Sequence, residues 1–91
     1  MKTYEFDVVV KNVSEVTDDQ IRTMTREVAA ARPDAIAIVC TNMRGAPLAA
    51  ELEAAHGIPV YDTVSTTVWK SLQLAGVDTR RLKGWGRIFS L

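Results

Sequence analysis

The spacing of apolar positions divides this chain into short strand-like runs separated by stretches of helical period. Tyr4 to Val10 sets Phe6, Val8 and Val10 on one face, with Val9 adding apolar character to the other, and predicts an interior strand. Asn12 to Glu15 is a polar connection. A helix start follows, with two reinforcing signals. Thr17 can cap it while Gln20 reaches back, and Val16 and Ile21 take the N′ and N4 places of a hydrophobic staple. Asp18 and Asp19 add negative charge at the positive end of the helix dipole. Ile21, Met24, Val28 and Ala31 then recur at spacings of three and four, a narrow apolar face on which Met24 needs no role beyond packing. Arg32, Pro33 and Asp34 stop the helix.

Ala35 to Val39 is a continuous, partly β-branched apolar run that ends at Cys40 and gives way to Thr41, Asn42, Met43, Arg44 and Gly45. It predicts a buried parallel strand, joined to the first by the helix in a βαβ unit. The carboxyl ends of such strands face the crevice where ligands sit, and unpaired backbone N–H groups at a following helix start favour anions there. Cys40 is therefore a candidate for chemistry. The alternative is a small buried hydrophobe, the usual condition of a free cysteine.

Pro47 to Ala55 is a second helical pattern, with Leu48 and Leu52 inward, Glu51 and Glu53 outward, Pro47 in the first turn and Gly57 at the end. Ile58 to Tyr61 predicts a third strand, with Pro59 near its beginning. Asp62 to Thr67 is a second polar cluster, near Cys40 if the strands are parallel neighbours. Ser65 or Thr66 can cap a last helix in which Val68, Trp69, Leu72 and Ala75 form the apolar stripe and Gly76 marks the end. His56, beside the helix-ending glycine, fits a solvent or dipole-compatible place better than a catalytic one. The order βαβαβα predicts an α/β fold, a three-layer sandwich with a small parallel sheet and right-handed crossovers.

Composition narrows the function classes. Eleven basic residues balance eleven acidic ones, so no whole-chain field favours nucleic acid or an anionic membrane. A single cysteine excludes an internal disulfide and suits a reducing compartment. The acids in Met1 to Asp7 are wrong for a signal peptide, and no window approaches the roughly 20 apolar residues of a membrane span, so a cytoplasmic location is expected. Arg80, Arg81, Lys83 and Arg87 lie among the aromatics of the tail, a pattern that can bind single strands. The patch is short and carries no RNA-binding consensus, so packing is the better reading. Trp85, Ile88, Phe89 and Leu91 then need a surface, and three strands and three helices leave little spare core. The tail is expected to pack against another chain or a further domain.

The strand leading into Cys40-Thr41-Asn42-Met43-Arg44-Gly45, the segment Gly57-Ile58-Pro59-Val60-Tyr61-Asp62-Thr63-Val64-Ser65-Thr66-Thr67-Val68-Trp69 and the closing Gly84-Trp85-Gly86-Arg87-Ile88-Phe89 together resemble the carboxyl-terminal part of the aspartate/glutamate/hydantoin racemase superfamily. The resemblance is nearest to its maleate cis-trans isomerase and arylmalonate decarboxylase group and covers nearly the whole chain. It implies one flavodoxin-like lobe of a two-lobe protein, with residues 1–91 a single partial domain. It implies no cofactor and a small dicarboxylate or 2-substituted carboxylic acid as substrate. Cys40 matches the family's carboxyl-terminal catalytic cysteine, and Thr41 and Asn42 match positions that bind a substrate carboxylate.

Two-base racemisation needs a group on each face of a planar carbanion, and this chain has one cysteine. A half-site open to water also stabilises such an intermediate poorly. The resemblance therefore implies an isomerase, racemase or decarboxylase lobe completed by a separate chain or by a second copy, with the last helix and tail available for exchange with that partner. The alternative is a non-catalytic remnant that serves as an oligomerising module. A nucleic-acid or membrane partner is not expected.

Overall fold

A computed structural model describes residues 15–91. The strand expected at Tyr4 to Val10 lies outside the described residues. The rest is a mixed α/β arrangement: helix α1 (Asp18–Ala29), strand β1 (Ile36–Ile38), helix α2 (Ala49–His56), strand β2 (Val60–Asp62) and helix α3 (Thr63–Leu74). Single turns of 3₁₀ helix at Ala46–Leu48, Thr79–Arg81 and Arg87–Ser90 complete it.

The start of α1 follows from its sequence. Gln20 N donates to Thr17 Oγ1 at 3.1 Å and Thr17 N donates to Gln20 Oε1 at 2.8 Å, a reciprocal box that satisfies two otherwise unpaired donors. Val16 and Ile21 are both buried in the central cluster, with Met24 and Val28 packed against it. Ala31, expected on the inner face, is exposed: the helix ends at Ala29, and Arg32, at φ 53°, turns the chain ahead of Pro33. Arg22 reaches from α1 to α2, donating to Glu51 at 2.6 Å from Nε and 3.1 Å from Nη2. This cation holds the Glu51 carboxyl below its ordinary range.

β1 and β2 are parallel, with Ile36 opposite Val60, Ala37 opposite Tyr61 and Ile38 opposite Asp62. Side chains alternate between the faces of a strand, so Ile36, Ile38 and Val60 share one face. That face forms a single core with Ile21 of α1 and with Leu48, Ala49 and Leu52 at and beyond the start of α2. The run from Ala35 to Val39 is thus not buried throughout. Ala37 is exposed on the opposite face, and Val39, beyond the paired segment, is 83 % exposed.

Three expectations for the second half are corrected. Glu53, placed on the solvent face, is buried because its carboxylate meets two backbone donors at 2.9 Å: Val60 N on Oε2 and Arg87 N on Oε1. The same contact docks part of the tail, so Ile88 and Phe89 are buried within this chain while Trp85 and Leu91 remain exposed. Gly86 makes that approach at φ 111°, where a Cβ would stand 3.3 Å from both Glu53 Oε1 and Ala49 Cβ. Finally, α3 begins at Thr63 rather than after Ser65 or Thr66, capped by Asp62. Its buried residue is Ser65, with Trp69 and Leu72 half-buried and Val64, Val68 and Ala75 exposed, so the stripe expected to face inward is largely uncovered.

Thr17→Ala should cost about 1 kcal/mol in urea unfolding through loss of the cap. Glu53→Ala strands two donors at once and should cost more than about 2 kcal/mol, with faster proteolysis in the tail around Arg87.

Candidate functional site

The residues that could carry chemistry converge where β1 and β2 end. Ile38 is the last paired residue of β1, opposite Asp62, the last of β2. Thr63 Oγ1 donates to the Ile38 carbonyl at 2.8 Å, which ties the first turn of α3 to the end of β1 just before the chain leaves the sheet. The two polar clusters of the sequence are therefore brought together, as parallel neighbouring strands require.

From Ile38 the chain makes an excursion and returns. Val39 points into solvent, Cys40 is half-buried, and Thr41 and Asn42 form an exposed turn. Met43 packs back onto the core, Arg44 is exposed, and Gly45 is buried. A Cβ placed on Gly45 would lie 2.8 Å from Ile38 Cδ1 and 3.1 Å from Ile38 Cγ2. The loop thus closes on the residue it started from. Gly45 has ordinary helical dihedrals (φ −82°, ψ −32°), so glycine is needed there for room rather than for backbone freedom.

Helix α2 does not begin directly after Cys40. Gly45 caps the 3₁₀ turn Ala46–Leu48, with Pro47 inside it, and α2 proper starts at Ala49. Cys40, Thr41 and Asn42 therefore sit on a closed loop ahead of the helix rather than on its first turn. Helix α3 has its N-terminus at the same end of the sheet, but its first donors are taken: Val64 N and Ser65 N donate to Asp62 Oδ2 at 2.8 and 3.2 Å.

The chain matches the model of one protein family, described as arylmalonate decarboxylase, over residues 4–89. The chain belongs to the arylmalonate decarboxylase family. It thereby falls in the maleate isomerase and decarboxylase branch of the Asp/Glu racemase superfamily, a cysteine-based, cofactor-independent group that acts on small carboxylic acids. No curated protein and no solved structure matches it. Among the described residues, no group of three or more His, Cys, Asp or Glu side chains is placed to hold a metal ion, and no helix is long and apolar enough to cross a membrane.

Sequence reasoning places Asp62 and Thr63 in a polar cluster near Cys40 and Gly45 at the end of the run that follows it, but gives none of the three a role of its own. Asp62 carried a readable signal, because aspartate directly after an apolar run and before a helical period is as good a cap as serine. The close approach of Gly45 and the bond from Thr63 to Ile38 depend on strand register and have no local signal.

Thr63→Val preserves shape while removing the side-chain bond to the Ile38 carbonyl. It should cost about 1 kcal/mol of stability and accelerate tryptic cleavage after Arg44, measured on the intact chain.

Proposed function

We propose that the loop from Val39 to Gly45 is half of an active site in which Cys40 handles a proton at the α-carbon of a small dicarboxylate or 2-substituted carboxylic acid, with Thr41 and Asn42 binding a substrate carboxylate. The observation that carries this reading is the position of Cys40: a half-buried thiol on a pinned loop at the carboxyl ends of two parallel strands, in a chain of the arylmalonate decarboxylase family. Loss of carbon dioxide from a malonate breaks one C–C bond and leaves its electron pair on the α-carbon as an enediolate. The Cys40 thiol then gives its proton to that carbon, and the thiolate left behind is reprotonated from water. Hydroxyl and amide donors from Thr41 and Asn42 hold the carboxylate whose oxygens take up the negative charge as the enediolate forms. A racemase or isomerase reaction would use the same proton chemistry but needs a second group on the opposite face.

The loop as it stands leaves Thr41 and Asn42 in solvent, and a carbanion-like intermediate needs water excluded. We therefore propose that a second lobe, on another polypeptide or a second copy of this chain, closes the site. Val39 follows the Ile38 carbonyl that Thr63 holds, and Val64 follows Thr63, so exposed apolar side chains border the same seam, with Val68 one turn further along α3. They supply the surface a covering partner would bury. In this reading the described sheet is part of a three-layer, flavodoxin-like lobe, and a reactive free thiol fits a cytoplasmic setting.

Cys40 in the full chain should be alkylated by iodoacetamide, and phenylmalonate should protect it. Cys40→Ala should lower decarboxylation of 2-aryl-2-methylmalonates by at least about a hundredfold wherever turnover is measurable, alone or with the completing partner. Alkylation indifferent to phenylmalonate, malonate and maleate, together with an assembly unchanged by Cys40→Ala, would instead identify an oligomerising module.

A further inference from the structure

Asp62 is fully buried, and only half of its carboxylate is used. Oδ2 takes both backbone donors at the start of α3, whereas Oδ1 is buried with no hydrogen-bond partner among the described residues. Capping does not require this. Serine and asparagine cap as well as aspartate and would avoid burying an idle charged oxygen, which is costly.

The idle oxygen has a definite neighbour. It lies 2.6 Å from the point that a Cβ on Gly45 would occupy, so what faces it is a Cα–H of Gly45, a weak donor. Gly45 is the return point of the loop that carries Cys40, and the departure point, Ile38, stands opposite Asp62 in the strand register and is bonded to Thr63. Asp62 therefore touches the closing end of the loop while its own backbone is locked to the opening end. Its other oxygen fixes the side chain in place, so Oδ1 is a rigid stop.

We infer that Asp62 is a positioning residue for Cys40: its free carboxylate oxygen is the stop against which Gly45 closes the loop from Val39 to Gly45, and it thereby sets how Cys40, Thr41 and Asn42 are presented to a carboxylate ligand. This role rests on the reading of Cys40 as the reactive thiol and deepens it by assigning what holds the thiol in place. It also accounts for the second oxygen that a cap does not need, and adds Asp62 to the Ile38 methyl groups as a reason for glycine at position 45.

The test uses Asp62→Ser and Asp62→Asn in the full chain. Both keep a capping oxygen for Val64 N and Ser65 N, but the first removes the stop and the second can turn an amide toward Gly45. The expected result is a melting temperature close to that of the parent chain, with the iodoacetamide rate at Cys40 raised about tenfold, its pH dependence displaced and protection by phenylmalonate weakened about tenfold, the order expected when a reacting group is misplaced by a fraction of an ångström. Parent-like alkylation rates and pH dependence in both folded variants would overturn the inference and leave Asp62 a helix cap. If phenylmalonate fails to protect the parent chain, the proposed function falls, and the ligand-free rate and its pH dependence still decide the role of Asp62. Should either Asp62 variant not fold, Gly45→Ala in an Ile38→Val background, which takes away the Ile38 Cδ1 otherwise 2.8 Å from the new Cβ, presses on the same oxygen from the loop side and is judged by the same outcomes against Ile38→Val alone.

Discussion

The closure of the strand ends is the constraint on which the site depends. Two strands of three residues each make a small sheet, and by themselves they fix little beyond their own register. The bond from Thr63 Oγ1 to the Ile38 carbonyl and the packing of Gly45 against Ile38 and Asp62 convert the end of that sheet into a defined structure. A loop whose two ends are held at one place loses most of its freedom even when its tip is solvated. Cys40, Thr41 and Asn42 occupy that tip, so their geometry derives from contacts made at residues 38, 45, 62 and 63.

Two buried carboxylates organise the domain around its modest apolar core. Glu53 uses both oxygens, one on the first residue of β2 and one on the tail, and so joins α2, the sheet and the last 3₁₀ turn. Asp62 uses one oxygen on α3 and leaves the other beneath the loop. The contrast is informative: a buried acceptor with both oxygens on backbone donors is a structural joint, whereas one with an idle oxygen bears a cost that invites a reason. By comparison, the Arg22 pairs with Asp19 and Glu51 lie in solvent. The pair with Asp19 lies within α1, the pair with Glu51 links α1 to α2, and neither has much effect on stability.

What the sequence made legible is local chemistry and periodicity. Thr17 and Gln20 form their box because the capping pattern acts over three residues, and Val16 and Ile21 meet for the same reason. The strand before Cys40, the helix after Pro47 and the parallel pairing follow from apolar runs and their spacing. The failures are equally physical. Glu53 follows Leu52 by one position, at the border of the apolar face, and only the approach of β2 and the tail decides that its carboxylate is buried. In the same way, the stripe of Val68, Leu72 and Ala75 has helical spacing without saying how much of it other elements cover. Cys40, Thr41 and Asn42 were legible as a motif, but the loop closure that holds them involves Asp62 and Thr63, 20 or more residues away in sequence, and could be seen only once the register of β1 and β2 was known.

The half-open site and the uncovered apolar side chains have one physical resolution. On the proposed function, a proton transfer to carbon through an enediolate needs donors in place and water kept out, and the pinned loop would meet the first need. The second would be met, in that reading, by a partner covering Thr41, Asn42, Val39 and Val64. Burying exposed valines favours association through the apolar area removed from water, and the same event lowers the local dielectric around the loop, which strengthens each hydrogen bond to a bound carboxylate. Assembly and catalysis would then be coupled: the area that stabilises the proposed interface would also dry the site. Under the proposed function such a lobe would keep its Cys40 loop rigid while isolated and become competent only when covered, because the parts that fix Cys40 lie beneath the loop and the parts that exclude water would come from outside it.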